Sequence, residues 1–400
     1  MQRHKWAVIG LAAAIGLVGL LGFVSWRINR LAAQAKEVWK ATIPIGGGRL
    51  GSHPSNTAAV AISSDGHFFL AALEDGTVWS WARQANDTQF ESLYVVTPGL
   101  LDPEHATPDG NTRPPLSLTD LAITPDADLA VMGFAVPGQA KAVKGPAPAR
   151  PQTGAVRVWD FGERRNRFSV TLPDAVDVVS ISPRGETVAV SAGPHALRVL
   201  DGASGKLLWS EGKDGHRFGP LTFSPDGRLL AAGVGRQVNV YDARSGRVRR
   251  ECSEPGGGMV AVCLSADGMR VAAGGVDQNL YVWDLGGAKR DLVLPLGVRA
   301  PVEPQVDALS FDEKSGSLVA FIRREERPGF FERWQNPPPP GITTTNITGS
   351  LIVRRGLTPD GKTTMLLETD KLFSKVRFAE RAPRFVQSTA HDPWVGVWEY

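Results

Sequence analysis

Residues Leu221–Asp242 read LTFSPDGRLLAAGVGRQVNVYD, and the pattern of this stretch is the basis for predicting the fold. An apolar strand leads into a Ser-Pro-Asp-Gly turn, a second apolar strand follows, and a third strand ends in Tyr-Asp. Alternating apolar positions suit a pleated sheet, and Pro-Asp-Gly favours a tight turn between antiparallel strands. The stretch therefore predicts three neighbouring strands of one small antiparallel sheet.

The same pattern recurs along the chain. Val178–Asp201 reads VVSISPRGETVAVSAGPHALRVLD, and Val262–Asp284 reads VCLSADGMRVAAGGVDQNLYVWD. In the second of these copies, Leu264, near the end of the first strand, and Trp283, near the end of the third, are 19 positions apart. Seven copies can be aligned in this way, so the chain is predicted to be a repeat protein.

Two of the seven copies are stretched between their second and third strands. Ile123 and Trp159 are 36 residues apart, and Phe311 and Arg354 are 43 apart. Compared with the usual 19, these copies carry insertions of 17 and 24 residues. We expect both insertions to project as loops from the repeat.

A four-stranded sheet cannot bury both of its faces alone, but sheets packed radially about an axis can. The repeats resemble the WD-repeat β-propeller family, which implies an all-β, seven-bladed β-propeller from about Lys36 to Tyr400. The resemblance is carried by the pairs Trp159-Asp160, Trp283-Asp284, Tyr241-Asp242, Leu200-Asp201 and Trp398-Glu399, and by Gly215-His216 before a repeat. Blade six departs from the pattern, because Arg354-Arg355 stands where Trp-Asp is expected.

The seventh copy, Leu372–Tyr400, contains only three strands. Glu37–Ile43 (EVWKATI) reads like the fourth strands of the other copies. As in WD-repeat propellers, this N-terminal strand is predicted to complete the last blade, which removes two open sheet edges. The predicted organisation is a basic N-terminus at 1–5, an apolar segment at 6–26, a linker at 27–36 and a propeller at 37–400.

Trp6–Trp26 holds no charged residue over 21 positions. As a helix at about 1.5 Å per residue it would span about 31 Å, close to the hydrocarbon thickness of a bilayer. We therefore expect residues 6–26 to be a transmembrane signal anchor of a single-pass membrane protein. A cleavable signal peptide ending at Ala33-Gln34-Ala35 is the alternative, although the apolar run is long for a signal core.

The side of the membrane on which the propeller lies is open. The basic residues that flank the apolar segment slightly favour a cytoplasmic propeller, whereas a short basic N-terminus also begins anchors that export the following domain. We favour an extracytoplasmic propeller, periplasmic or extracellular. Because the outer strand Glu37–Ile43 runs away from the Pro-Asp-Gly turns, those turns are predicted to lie nearest the bilayer.

The opposite, distal face is predicted to carry the elaborations of the fold. They are Thr97–Pro115, Val136–Thr153 and Arg323–Gly349, the last of which contains Pro337–Pro340. Pro-rich segments favour extended conformations that partners recognise, and loops on a rigid scaffold often carry function. We expect protein partners to bind here, with acidic partners contacting Lys141, Lys144, Arg150, Arg323, Arg324 and Arg327.

No catalytic or cofactor motif is found in the sequence. Gly46-Gly47-Gly48 lacks the Lys-Ser/Thr of a phosphate loop, and neither Cys252 nor Cys263 has a nearby His. Both cysteines are expected to be buried, small apolar residues of blades four and five. Catalysis is not expected, and an enzyme or ligand-binding sensor at the channel mouth remains the alternative class.

The histidines do not have the local spacing of metal ligands. His105, His195 and His391 could meet over the channel only if distant loops converged. The resemblance implies instead that His53 and His216, with Asp75 and Asp277, form hydrogen bonds within blades. No metal or cofactor is therefore expected.

The charge balance argues against a nucleic-acid-binding protein. The net charge is +3 over 400 residues, and no run of Lys and Arg suited to phosphate tracking occurs. We therefore expect no nucleic-acid partner. The sequence predicts a membrane-anchored, non-catalytic protein-interaction scaffold.

Overall fold

In a computed structural model of the chain, the described residues form seven antiparallel sheets of four strands each. The structure describes residues 36–42, 57–73, 76–83, 90–96, 117–135, 154–193, 196–212, 218–253, 258–277, 279–287, 291–297, 305–312, 314–326, 346–358, 361–369, 373–379, 384–389 and 394–399.

The first strand of the chain is β1 (Lys36–Thr42). The strands that follow it are arranged in chain order within each blade, from the central channel outward. Blades one to three consist of β2 (Thr57–Ile62), β3 (Phe68–Leu73), β4 (Val78–Arg83) and β5 (Phe90–Val96); β6 (Ser117–Ile123), β7 (Leu129–Ala135), β8 (Gly154–Asp160) and β9 (Arg165–Leu172); and β10 (Val176–Ile181), β11 (Thr187–Ala192), β12 (Ala196–Asp201) and β13 (Leu207–Gly212).

Blades four to seven repeat this order. They consist of β14 (Phe218–Phe223), β15 (Leu229–Val234), β16 (Gln237–Asp242) and β17 (Val248–Ser253); β18 (Met259–Leu264), β19 (Arg270–Gly275), β20 (Asn279–Asp284) and β21 (Leu292–Pro295); β22 (Gln305–Asp312), β23 (Ser317–Glu326), β24 (Asn346–Gly356) and β25 (Thr363–Thr369); and β26 (Phe373–Phe378), β27 (Arg384–Thr389) and β28 (Trp394–Glu399).

The predicted ring closure is confirmed. The N-terminal strand β1 pairs antiparallel with β28, from Lys36 opposite Glu399 to Thr42 opposite Trp394, and so forms the outer strand of blade seven. The strand begins and ends one residue earlier than the predicted Glu37–Ile43. Blade seven thus joins two distant parts of the chain into one sheet.

The turns between first and second strands are fixed by a serine and an aspartate. In blade four the Ser224 hydroxyl donates to Asp226 at 2.5 Å and accepts from the Leu229 amide at 2.9 Å, while the Arg228 amide donates to Asp226 at 3.0 Å. Gly227 has a φ of 74°, which favours glycine. The recurring Ser-x-Asp-Gly pattern therefore encodes a self-capped turn.

The aspartate of the Trp-Asp-like pair caps the turn between third and outer strands. In blade four, Asp242 accepts from the Ser245 amide at 3.0 Å and from the Ser245 hydroxyl at 2.7 Å. In blade three, Asp201 accepts in the same way from Ser204. These carboxylates have a local structural role, so the motif specifies the turn as well as the strand.

Neighbouring blades make contact where the outer strand of one blade packs against the turn between the third and outer strands of the next blade. The indole of Trp209 in blade three donates to the Ala243 carbonyl of blade four at 2.9 Å. A Cβ atom at Gly246 would lie 2.7 Å from that indole ring. In the next pair of blades, Arg250 binds both carboxylate oxygens of Asp291, at 2.9 and 2.7 Å.

The hydrophobic core lies between blades, because each blade's second and third strands bury both faces. Ala231 and Val240 are inaccessible to solvent, as is Tyr241, whose ring lies 5.4 Å from that of Trp209. Small residues in the second strands let the sheets approach closely. The result is a rigid ring with its working surfaces at the two ends of the channel.

Residues 6–26, for which a transmembrane anchor is predicted, lie outside the described residues. Within the described part of the chain, no helix is long and apolar enough to cross a membrane.

Candidate partner-binding surface

The propeller has two faces with different loop types. The turn face carries the capped turns described above, and the distal face carries the links between second and third strands and those between blades. β1 begins on the turn face, because Lys36 pairs with Glu399 at the end of β28. Chain that precedes Lys36 therefore leaves the propeller on the turn face.

The first strands of the blades surround a central channel with a cavity volume of about 570 Å³. Small and apolar side chains line most of its wall, and the charged groups are Asp120, Asp177, Asp307 and Arg377. Two of these carboxylates have arginine partners, as described next. Much of the charge in the channel is therefore neutralised within the protein.

Asp120 connects three blades. Its Oδ2 accepts from the Val179 amide of blade three at 3.0 Å, and its Oδ1 accepts from Nη2 of Arg377 of blade seven at 3.3 Å. The inner strand of blade one lies between blades seven and two and presents Ala61 to the channel.

Asp307 and Arg323 form a second pair, at the distal end of blade six. The Arg323 guanidinium approaches both carboxylate oxygens, with Nε 2.8 Å from Oδ2 and Nη2 3.1 Å from Oδ1. The side chains are 27% and 16% exposed, so the pair is accessible at the channel mouth but mostly covered. Two-point pairing of this kind fixes the direction of the arginine.

Blade six extends further on the distal face than its neighbours. β23 has 10 residues and β24 has 11, whereas the second and third strands of the other blades have six or seven. The pairing of Arg324 with Gly349 and of Glu326 with Asn346 continues beyond the last residues that pair with β22 and β25. We call Arg324–Glu326 and Asn346–Gly349 the blade-six ribbon.

The ribbon differs from the sequence-based expectation in one respect. The whole of 323–349 was expected to be an inserted loop, but its two ends are paired strands. At about 3.3 Å per residue, the three residues Arg324–Glu326 extend β23 by about 10 Å beyond its pairing with β22. Cross-strand pairing supplies the backbone hydrogen bonds that a loop would lack.

Arg354 and Arg355 compensate for the missing Trp-Asp pair of blade six. Arg354 forms an ion pair with Asp312 at 3.3 Å. Arg355 is 3% exposed and donates to the Pro295 carbonyl of blade five at 3.2 Å and to the Thr358 carbonyl of its own turn at 3.4 Å. An arginine thus ties the turn and the neighbouring blade together where other blades use an aspartate.

The predicted partner-binding residues are only partly described. Arg323 lies at the channel mouth and is bonded to Asp307, and Arg324 is a residue of β23 in the ribbon. Lys141, Lys144, Arg150 and Arg327 lie outside the described residues, as do the segments 97–115 and 136–153. The structure therefore brings Arg323 and Arg324 to one place on the distal face, and their role in partner binding stays a prediction.

The cysteines are buried free thiols, in the strands β17 and β18 of blades four and five, as predicted. Burial raises the pKa of the Cys252 thiol to about 12. A thiol that is neutral at physiological pH and inaccessible does not act as a nucleophile.

Among the described residues, no group of His, Cys, Asp and Glu is arranged to hold a metal ion. Of the histidines, only His67 is described. Asp277 accepts hydrogen bonds from the Asn279 amide at 3.3 Å and from the Tyr281 hydroxyl within blade five. This within-blade role is the one predicted for it.

Sequence reasoning missed the Asp120–Arg377 pair. The signal was present, because Asp120 interrupts the apolar strand SLTDLAI and Arg377 interrupts FSKVRF. A buried charge in an inner strand needs a partner. The sequence could not show which of the other blades supplies that partner.

Comparison with known proteins supports a WD-repeat β-propeller. Residues 48–82 and 247–284 match the family model for the WD domain, G-beta repeat. The first match contains the three inner strands of blade one, and the second contains the outer strand of blade four with three strands of blade five.

Three curated proteins illustrate the similarity. WD repeat-containing protein 1 of Bos taurus is 35% identical over 130 residues, which is 31% of this chain and 21% of that protein. The 77 kDa echinoderm microtubule-associated protein of Lytechinus variegatus is 27% identical over 142 residues, or 34% of this chain and 21% of that protein. Autophagy-related protein 16 of Arabidopsis thaliana is 27% identical over 135 residues, or 32% of this chain and 26% of that protein.

The matched region spans about a fifth to a quarter of the length of these relatives. The WD-repeat proteins that the chain resembles are typically non-catalytic scaffolds that bind protein partners.

Proposed function

We propose that this protein is a membrane-anchored scaffold that binds protein partners on its distal face, with the blade-six ribbon and the segment it carries as the principal contact. The observation that carries the proposal is the ribbon itself. Of the second and third strands that the structure describes, only β23 and β24 pair so far beyond their sheet.

The ring supports this role physically. Asp120, the Trp209–Ala243 hydrogen bond and the Arg250–Asp291 pair hold the blades in fixed relation. A loop that is mounted on such a scaffold keeps its position relative to the other distal segments. Less of the binding free energy is then spent on ordering the surface.

The two charged segments of the distal face indicate the chemistry of the partner. Arg324 and Arg327 belong to the ribbon and its continuation, and Lys141, Lys144 and Arg150 belong to the insertion of blade two. Both groups suit acidic segments of a protein partner. Arg323 has a second role in holding Asp307, so it orients the channel mouth in addition to any contact it makes.

Anchoring would place this surface away from the bilayer. The apolar residues 6–26 are ten positions ahead of β1, and β1 begins on the turn face. A helix there would set the turn face against the membrane and the distal face toward the surrounding compartment, which we propose to be extracytoplasmic. The distal loops would then be free to meet a partner.

The test is a crosslinking pull-down from membranes with the full chain and three variants. In the first, residues 328–345 are replaced by a short Gly-Ser turn that leaves β23 and β24 intact. The second lacks residues 136–153. The third carries Arg324→Ala with Arg327→Ala.

A matched control carries Arg184→Ala with Arg228→Ala, which removes the same charge from exposed turn-face positions. We expect the first and third variants to lose a partner that the control keeps, with at least a tenfold drop in recovery, about 1.4 kcal/mol of binding free energy. An unchanged partner set in all three variants would remove the distal face from the proposal. Copurification of an organic ligand or metal with every variant would support the channel-mouth sensor instead.

A further inference from the structure

In several blades a basic residue begins the outer strand or directly precedes it, at one shared position on the turn face. Arg165 is opposite Asp160 at the start of β9, and Lys36 is opposite Glu399 at the start of β1. The corresponding residues of blades three and four are Lys206 and Arg247.

The backbone fixes this position. The carbonyl of Lys206 accepts from the Asp201 amide at 2.8 Å, and the carbonyl of Arg247 accepts from the Asp242 amide at 2.8 Å. Each basic residue follows a glycine of positive φ, Gly205 at 70° and Gly246 at 73°. The side chains are exposed, so their place in the ring is set without engaging their charge.

In blades three and four an exposed apolar residue follows each basic one. Leu207 is 56% exposed and Val248 is 42% exposed. The two sequences are Gly-Lys-Leu and Gly-Arg-Val at equivalent positions, and the blades are joined by the Trp209–Ala243 hydrogen bond. Arg244 is exposed in the turn between β16 and β17. We call Lys206, Leu207, Arg244, Arg247 and Val248 the basic rim.

The nearby carboxylates lie closer to the backbone than the cations. Asp201 and Asp242 accept hydrogen bonds from the serines of their own turns, at 2.6 and 2.7 Å. Lysine and arginine have long stems that carry their charge outward from the face. The rim therefore presents exposed cations with apolar side chains between them, a composition suited to a lipid headgroup layer.

From these observations we propose that the basic rim rests on anionic phospholipid headgroups and so fixes the propeller's orientation on the bilayer. The occupant follows from where the chain enters: β1 begins on this face at Lys36, and the apolar residues 6–26 precede it. The inference rests on the proposed anchor, because the anchor brings this face to the membrane. It adds a second contact that depends on lipid charge.

The test places an environment-sensitive dye on Leu208→Cys in the full chain. Leu208 is 38% exposed beside the rim, and the two native thiols are buried. The protein is reconstituted into vesicles of phosphatidylcholine alone or with about one third phosphatidylglycerol. We expect a blue shift of the dye emission only with phosphatidylglycerol, and its loss in high salt, where the screening length falls from about 10 Å to about 3 Å.

Two charge reversals within blade four provide the matched comparison. Arg247→Glu lies on the rim, and Arg236→Glu lies in the exposed turn between β15 and β16 on the distal face. We expect Arg247→Glu to abolish the shift and Arg236→Glu to leave it unchanged. A dye on Arg236→Cys should report no lipid dependence.

The failures of the two proposals can be told apart. Release of the chain from vesicles by alkaline carbonate would overturn the anchor, whereas retention with identical dye emission in both lipids would overturn the rim alone. A shift that appears without vesicles and grows with protein concentration would also overturn it, because a second copy of the chain would then cover the rim.

Discussion

Arg377 of blade seven reaches past the inner strand of blade one and donates from Nη2 to Oδ1 of Asp120 in blade two, over 3.3 Å. Asp120 is 7% exposed and also accepts from the Val179 amide of blade three. The pair therefore ties together blades two and seven, which are not adjacent in the ring, at the wall of the central channel.

Removing Asp120 should destabilise the ring. In Asp120→Ala the Val179 amide and the Arg377 guanidinium both lose an acceptor, and we expect a loss of about 1–3 kcal/mol in the free energy of unfolding. Urea denaturation followed by circular dichroism measures it. The control is Arg228→Met, because the Arg228–Asp226 pair is 3.8 Å apart and largely exposed and should contribute little. Equal losses in the two variants would contradict the role given to Asp120.

Alanine substitutions at Gly246 and Gly287 distinguish the cost of backbone strain from the cost of disturbed packing between blades. Both have positive φ, 73° and 69°, but a Cβ at Gly246 would meet Trp209 whereas one at Gly287 would meet nothing within 4 Å. We expect Gly287→Ala to cost about 1 kcal/mol and Gly246→Ala to cost a further 1–3 kcal/mol of stability. Thermal unfolding of both variants makes the comparison, and a matching decrease in melting temperature would disprove the packing argument.

Arg355 should matter more to stability than its neighbour Arg354. Arg355 is buried and donates to carbonyls of blades five and six, whereas Arg354 is 29% exposed and forms an ion pair with Asp312. We expect Arg355→Met to cost about 2–3 kcal/mol because buried carbonyls lose their donors, and Arg354→Met to cost about 1 kcal/mol. Denaturant unfolding of the two variants is the measurement. The reverse order would mean that the turn of blade six is held by other contacts.

Asp242 should contribute to acid resistance. Hydrogen bonds from Ser245, first from its hydroxyl and then from its amide, lower the pKa of Asp242 from 3.8 to about 2. Because the folded-state pKa lies below the unfolded value, the stabilisation is complete above about pH 4 and is lost as the pH falls through about 2.

We expect Ser245→Ala to move the acid-unfolding midpoint upward and to cost about 1 kcal/mol at neutral pH, a value that allows for solvent screening. A pH titration of tryptophan fluorescence records the midpoint. Ser315→Ala, in the exposed turn after Asp312, provides a comparison in a blade that lacks the Trp-Asp pair. A midpoint that does not move would show that the Ser245 contact does not set the acidity of Asp242.

Native Cys252 and Cys263 should resist alkylation. Both are buried, and the pKa of Cys252 is raised to about 12 by burial. We expect no reaction with a maleimide at pH 7 in the folded chain and two modified residues after unfolding in urea, counted by intact mass. Rapid labelling of the folded protein would show that blades four and five open readily.

The sequence predicts the seven blades because each turn and strand is encoded locally. Ser224, Asp226 and Gly227 specify one turn completely, and β1 carries the alternation of an outer strand that lacks a sheet of its own. The Asp120–Arg377 pair could not be predicted, because it joins residues of blades two and seven. The extent of β23 and β24 depends on cross-strand pairing of polar residues that have no strand-like alternation.

The pairing of β1 with β28 also sets an order of events during synthesis. A ribosome makes Lys36–Thr42 early and Trp394–Glu399 more than three hundred residues later, so β1 waits without its partner while six blades are made. If the preceding segment has already entered a membrane, β1 stays close to the surface where the last blade must assemble. The ring would then close beside the membrane, as the last step after translation.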